Sequence, residues 1–346
     1  MEPKLSPNYS LMLHRTGRVL LCATLVFLTG CHRATDGTNR DGSPISTLRI
    51  GYFGAVGNGI GVLGWANKRG ILIPGLKAAR VTDVKFIRFT SGTDVNEALA
   101  SGSLDFCSYG DSPAIQGRAE DVPDRVLAIS SGASNMWLVS GPNGPSSVDG
   151  LSGKIVASMG GGTSFRYITQ ILAEHHLRDK VKIVKLEQTL AEPALLRGDL
   201  AAAVTNGPLL LDDKLHVIDE AATHKHLLPV GVDVVSQSYL DAHPNFASAW
   251  VKTRASAIAD LRSHLDDYYA FSAAAWKEPE WMQKKYFPVQ GDDSEPFTEA
   301  KIKALEDSKA FLLSQKMIPK DFSVRDWIYP AAASKPGDSS APATNP

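Results

Sequence analysis

Cysteine is scarce in this chain: three residues in 346, at positions 22, 31 and 107. A framework of disulfides is thereby excluded as the source of stability, which must come from a packed core. An excess of one charge is also missing, since 36 Lys and Arg stand against 37 Asp and Glu for a net charge of −1. Without a basic domain or stripe, nucleic acid is excluded as a partner. The apolar run "VLLCATLVFL" (19–28) is about half as long as a membrane-crossing helix requires. No internal repeat of solenoid period is present. What is there, 43% hydrophobic and 21% charged residues, is the composition of a soluble globular protein, long enough for two domains.

The short apolar run has a use. His14, Arg15 and Arg18 precede it and "LTGC" (28–31) ends it, the order of a secretory signal peptide. The four residues closing on Cys31 resemble a bacterial lipobox. That resemblance implies that residues 1–30 are removed and that Cys31 is acylated as the first residue of a lipoprotein. Durable anchoring follows from two or more acyl chains. The expected location is extracytoplasmic, on the periplasmic or cell-surface side of a membrane. Cys22 departs with the signal and Cys107 is left without a disulfide partner. Residues 31–47 are polar and read as a flexible tether, and residues 331–346, "AAASKPGDSSAPATNP", read as a disordered tail.

The body between them alternates short apolar runs with helical patterns. "LRIGYF" (48–53), "VKFIRF" (84–89), "LDFCSY" (104–109), "RVLAIS" (125–130), "MWLVS" (136–140), "KIVAS" (154–158), "KIVKLE" (182–187) and "AAAVT" (201–205) are strand candidates, most of them separated by helical stretches. This order predicts an α/β fold of parallel sheets with helices on both faces. Ligands then sit outside the carboxyl ends of the strands. The C-terminal third reads as helices that cover a sheet without adding strands. Pro and Gly cluster at 140–150, which marks a boundary.

Four strand-to-helix turns are small and polar. "SMGGGTSFRY" (158–167) opens a helix on Tyr167, Ile168, Ile171 and Leu172. It lacks the lysine of a phosphate-binding loop, and Phe165 stands where a dinucleotide fingerprint needs glycine. What remains is general: glycines admit a tight turn, and unpaired N–H groups at a helix start favour an anion. Gly161, Gly162, Thr163 and Ser164 are the candidate contacts there. The turn "GAVGNGIG" adds Gly57 and Asn58, "TSGTD" adds Ser91 and Gly92, and "GDSPA" adds Gly110, Asp111 and Ser112. Taken singly, Ser91 and Asp111 fit helix caps better than ligand contacts, Asp111 above all because Asp is a preferred cap. Together the four turns converge on one crevice.

At this point the residues reach a family. "LRIGYF", "GWANKRGIL", "TSGTDVNEALASGSLDFCSYGDSPA", "LSGKIVASMGGGTSFRYITQIL" and "LLRGDLAAAV" resemble, in order and spacing, the extracytoplasmic solute-binding proteins of ABC importers for nitrate, taurine and aliphatic sulfonates. The resemblance runs from about Leu48 to Asn245. It implies a type II periplasmic-binding-protein fold: lobe I from 48–140 plus 231–330, lobe II from 141–230, a hinge between them, and a helical C-terminal part. It also implies that donors at helix starts (Ser91, Gly110, Asp111, Ser112 and the 161–164 loop) hold an anionic head group. The expected partners are a small anionic solute, membrane permease subunits and the lipid anchor. The expected protein is a monomer, without cofactor or metal and without catalysis. Many relatives have a Trp-Asp-Pro-type stretch where this chain has Thr205, Asn206, Gly207 and Pro208, so Asn206 helps to shape a pocket of its own.

Three other chemistries have sequence signals. Gly110, Asp111 and Ser112 match the block of GDS-type esterases, and Asp213 and His216 form an Asp-x-x-His, but the two lie in the wrong order and place for that family. Cys107 belongs to no motif of its own, yet desulfinases of the implied fold use a cysteine; its mid-strand place favours a buried structural thiol. His175 with His176, and His224 with His226, are thin metal signals without companion ligands. Arg88 and Arg166 border the expected crevice and are candidate anion partners.

Overall fold

Two five-stranded sheets, built to one plan, organise the chain. In chain order the first half runs β1 (Thr47–Tyr52), α1 (Gly61–Lys68), α2 (Leu72–Leu76), β2 (Asp83–Arg88), α3 (Gly92–Ala100), β3 (Phe106–Gly110), α4 (Asp111–Ala119) and β4 (Asp124–Ser130). The second runs β5 (Trp137–Ser140), β6 (Ile155–Ser158), α5 (Thr163–Glu174), β7 (Lys182–Lys185), α6 (Gln188–Arg197), β8 (Ala202–Thr205) and β9 (His216–Glu220). Then follow β10 (Gly231–Ser236), α7 (Gln237–Ala242), α8 (Phe246–Ser263), α9 (Leu265–Trp276), α10 (Glu280–Tyr286), α11 (Glu299–Ser314), α12 (Val324–Trp327) and α13 (Pro330–Ala333). This computed structural model describes residues 46–53, 57, 59–130, 135–158, 162–224, 227–289 and 293–333. All of them belong to one unit, Thr38–Pro346; the other unit, Met1–Gly37, lies outside the described residues. So do the expected signal peptide, Cys31, nearly all of the expected tether, and residues 334–346.

The strand order is β2-β1-β3-β10-β4 in the first sheet and β7-β6-β8-β5-β9 in the second. The two orders match position by position. In each, the fourth strand is antiparallel to both neighbours: β10 to β3 and β4, and β5 to β8 and β9. The expectation of purely parallel sheets is therefore corrected. The reason is topological: β5 follows β4 directly into the second sheet, and β10 follows β9 back into the first. Each crossing delivers a strand without a crossover helix, and such a strand enters its new sheet reversed.

Side-chain alternation ties the strands to cores on both faces. In β3, Cys107 and Tyr109 join the core under α3, α4 and α11, while Phe106 joins the core under α1, α2 and α8. In β10, Val232 and Val234 face the first of these and Val235 the second. In β8, Ala202 and Val204 face α5, and Ala203 faces α6. Phe106 meets Trp250 of α8 edge-on at 4.8 Å, and the Trp250 indole donates to Asp233 Oδ2 at 3.0 Å. Burial of a side chain the size of Phe106 stabilises by about 2–3 kcal/mol.

The C-terminal helices match the pattern. Helices α8 and α9 meet at His264, whose ring Nδ1–H donates to the Asp260 carbonyl at 2.7 Å. The chain end also touches a sheet: Tyr329 N–H donates to the Val126 carbonyl at 3.0 Å beside a bridge between Val126 and Ile328. Helix α13 then takes in residues 331–333 of the stretch expected to be disordered, with Ala332 buried.

Candidate ligand-binding site

The turns that leave the carboxyl ends of β3 and β6, one from each sheet, meet. A Cβ placed on Gly110 would lie 3.7 Å from Thr163 Oγ1, and one placed on Gly162 would lie 3.7 Å from Ser112 Cβ. Gly162 has φ +75°, a conformation that side chains resist, and it caps α5. Gly92 belongs to the same cluster for another reason: its Cβ would stand 2.2 Å from Pro113 Cβ, so only glycine lets the start of α3 close on the start of α4. Ser91 caps α3, its Oγ accepting from Asp94 N–H at 3.2 Å.

Asp111 takes a different role from the helix cap it was expected to resemble. Gly110 is the N-cap of α4, and Asp111 is the first helical residue, fully buried. Its Oδ1 accepts from Ser112 N–H at 2.6 Å, Ser112 Oγ at 3.1 Å and Thr163 Oγ1 at 3.4 Å. Its Oδ2 accepts from Ser308 Oγ of α11 at 2.7 Å and Val230 N–H at 3.4 Å. Arg166 of α5, 2% exposed, lies 3.7 Å away as its counter-ion. The guanidinium also donates to Ser308 Oγ and to the Leu227 and Leu228 carbonyls at 3.3 and 3.2 Å. This buried cluster ties helices from both sheets to α11. Arg166 thus has an internal carboxylate where a ligand anion was expected. Ser308 has no signal in sequence, since it lies 197 positions from its partner.

The other expected site residues divide. Ser164 is buried and its Oγ accepts from Ser158 Oγ at 3.0 Å. Asn206, at the carboxyl end of β8, accepts from Gln188 Nε2 at 2.6 Å, while Gln188 Oε1 accepts from Thr205 Oγ1 at 2.6 Å. Gln188, at the start of α6, belongs to no motif that sequence alone would single out. Gly57 lies beside the Tyr52 hydroxyl, 3.5 Å from where its Cβ would be. Asn58 and Gly161 lie outside the described residues. Arg88 ends β2 with an exposed side chain. Thr163 and Asn206 are half-buried, as are Gly110 and Ser91.

The residues of the alternative chemistries are buried or engaged elsewhere among the described residues. Ser112 is fully buried and its hydroxyl donates to Asp111, while His216 Nε2 contacts the Pro145 carbonyl at 3.1 Å. Cys107 is fully buried, its thiol 3.4 Å from the Gly51 carbonyl, and burial pushes its pKa far up, away from the reactive thiolate. Among the described residues no group of three or more His, Cys, Asp or Glu is placed to hold a metal, and no helix is long and apolar enough to cross a membrane.

Two matched sheets, exchanged reversed strands and facing turns at the carboxyl ends define a periplasmic-binding-protein fold. The chain belongs to the NMT1/THI5-like family, which matches residues 82–264, more than half of its length. It is 25% identical to a Bacillus subtilis protein named for binding aliphatic sulfonates, over 91% of this chain and 94% of that one. It is 26% identical to the taurine-binding periplasmic protein of Escherichia coli, over 49% of this chain and 55% of that one. The crystal structure of the periplasmic aliphatic sulphonate binding protein SsuA from Escherichia coli superposes with a TM-score of 0.70 at 20% identity, covering 82% of this chain and 92% of that one.

Proposed function

We propose that this chain is the lipid-anchored, extracytoplasmic solute-binding protein of an ABC importer. It captures a small sulfonate or similar anion between a lobe on the first sheet, residues 48–130 with 231–330, and a lobe on the second; β5 (Trp137–Ser140) pairs with β8 and β9, so the expected boundary at 140 moves to before β5. One observation carries the reading: the start of α5 is the side of the facing turns that bears no acidic residue of its own. Helices α3 and α4 have Asp94 and Asp111 in their first turns, whereas α5 has none. Its unpaired N–H groups and dipole favour an anion from outside; the half-buried Thr163 hydroxyl stands at that helix start, and the Gly110 backbone faces it across the gap. Ser91, Gly92 and Asn206, with Gly57, Asn58 and Gly161, complete the proposed lining. Asp111, Ser112 and Ser164 position the turns. The names of the relatives support sulfonate or taurine as cargo.

The protein works as a monomer that hands its ligand to a membrane permease, with Cys31 acylated and no cofactor. Isothermal titration calorimetry with alkanesulfonates, taurine, nitrate and sulfate tests the ligand class. One site per chain is expected for at least one of them, with about tenfold or greater weakening in Thr163→Ala, the loss of one charge-assisted hydrogen bond. Silence toward all of them, or ester hydrolysis abolished by Ser112→Ala, overturns the reading. Release of Cys31→Ser from the membrane fraction is the expected outcome for the anchor.

A further inference from the structure

Helices α9 and α10, with the short connection between them, carry no motif, yet together they touch elements of both sheets. On one side, Phe271 of α9 presses on α1: a Cβ on Gly64 would lie 2.9 Å from its ring, and its ring centroid is 5.8 Å from that of Trp65. On the other side, Tyr286 and Phe287 pack edge-on against Trp137, which opens β5 opposite Thr205. A Cβ on Gly207, just past β8, would lie 3.2 Å from Met282, 3.3 Å from Phe287 and 3.6 Å from Glu278 Oε1. The strap therefore delivers one carboxylate to the turn that carries Asn206.

That carboxylate is held by a directed chain. Ser272 Oγ donates to Gln283 Oε1 at 2.7 Å, which fixes the amide so that its NH2 donates to Glu278 Oε2 at 2.7 Å. Ser272 and Gln283 are buried, so the orientation is enforced. Oε1 accepts no hydrogen bond, and no Lys or Arg pairs with Glu278, among the described residues. Burial pushes its carboxyl above the usual glutamate range, against the pull of the Gln283 amide. Glu278 is half-buried, so Oε1 is open to a donor from outside the chain.

We propose that Glu278 is a specificity-determining residue that takes a cationic group of the ligand, so that the cargo is a small amino-sulfonate rather than a plain alkanesulfonate. The inference rests on the sulfonate reading above: the anionic end sits at the start of α5, and the ammonium completes Glu278 Oε1. Such a zwitterion needs one neutral donor set and one carboxylate, which is what the two sides of the crevice offer.

Calorimetric titration of the full chain with taurine and with ethanesulfonate, which share the sulfonate and differ in the ammonium, tests this. The wild type is expected to bind taurine at least tenfold more tightly, and Glu278→Gln to bring the two dissociation constants within about twofold of each other. Equal affinities in the wild type, or a preference that survives in Glu278→Gln, overturn the role of Glu278 while sulfonate binding stands. Failure of both ligands overturns the sulfonate reading and this inference with it. The wild-type ratio decides by itself if the variant does not fold.

Discussion

Removing the Asp111 carboxylate should be among the most destabilising single changes available in this protein. The perturbation is Asp111→Ala. Asp111 is fully buried, accepts hydrogen bonds from Ser112 N–H, Ser112 Oγ, Thr163 Oγ1, Ser308 Oγ and Val230 N–H, and faces the buried Arg166 at 3.7 Å. Deletion leaves a guanidinium with only Ser308 Oγ and two carbonyls, and its Nε already has no partner among the described residues. Breaking a buried pair from one side costs about 3–5 kcal/mol because the remaining charge is uncompensated. Ser308→Ala, which removes one bridging hydroxyl but no charge, should cost about 1.5–3 kcal/mol. The double change Asp111→Asn with Arg166→Met removes both charges, so it should lose much less than the sum of the two single changes. Urea unfolding followed by circular dichroism and tryptophan fluorescence measures all of these as shifts in midpoint at constant slope. A loss below about 1 kcal/mol for Asp111→Ala, or additive losses in the double variant, would refute the buried-pair argument.

Two further outcomes follow from buried groups away from the crevice. Asp124 is buried, with the Trp327 indole donating to Oδ1 at 2.7 Å and no hydrogen bond to Oδ2 among the described residues, and burial pushes its carboxyl up to about 7. The folded state therefore keeps a proton that the unfolded chain releases near pH 4, so this group's contribution is largest below that pH and fades as pH rises toward 7. Asp124→Asn removes the dependence: between pH 5 and pH 8 its stability relative to wild type should rise by about 2–3 kcal/mol in urea unfolding, and a flat difference contradicts the assignment. Cys107 should resist a thiol-specific reagent in native buffer and react fully in denaturant, because its thiol is buried and its pKa raised by desolvation; rapid native labelling would reopen the question of a nucleophilic cysteine.

How far the sequence was legible depends on whether the information was local. The turns "TSGTD", "GDSPA" and "GGGTS" announce themselves through glycine, hydroxyl and helix start, and the structure brings Gly92 to Pro113 and Gly110 to Thr163. The apolar strands were equally visible, because Leu48, Ile50 and Tyr52 alternate inward along β1. Strand β10 was missed: "GVDVVS" carries Asp233 in a central strand, a residue that argues against burial until its partners Trp250 and Arg254 are seen from a distant helix. Its reversed direction, and that of β5, is a property of the crossings between sheets and is written in no single segment. Ser308 and Gln188 were missed for the same reason, since a serine or glutamine acquires a role only through the neighbour to which the fold carries it.

The fate of Asp111 shows how such a neighbour changes the chemistry of a turn. Read alone, "GDS" offers an acid and a hydroxyl at a helix start, which suits a cap better than a ligand contact. Once Arg166 is buried against it, the acid neutralises the nearest guanidinium, and neither charge is left to a ligand. The proposed anion must then be held by backbone N–H groups, Thr163 and the dipole of α5, all of them neutral. Neutral donors hold an anion by geometry more than by net charge, and geometry fits a tetrahedral head group of fixed size better than it fits anions in general. The internal ion pair therefore does not compete with recognition. It withdraws the Arg166 and Asp111 charges from the proposed site, so the anionic end of the proposed ligand would be selected by the glycine turns.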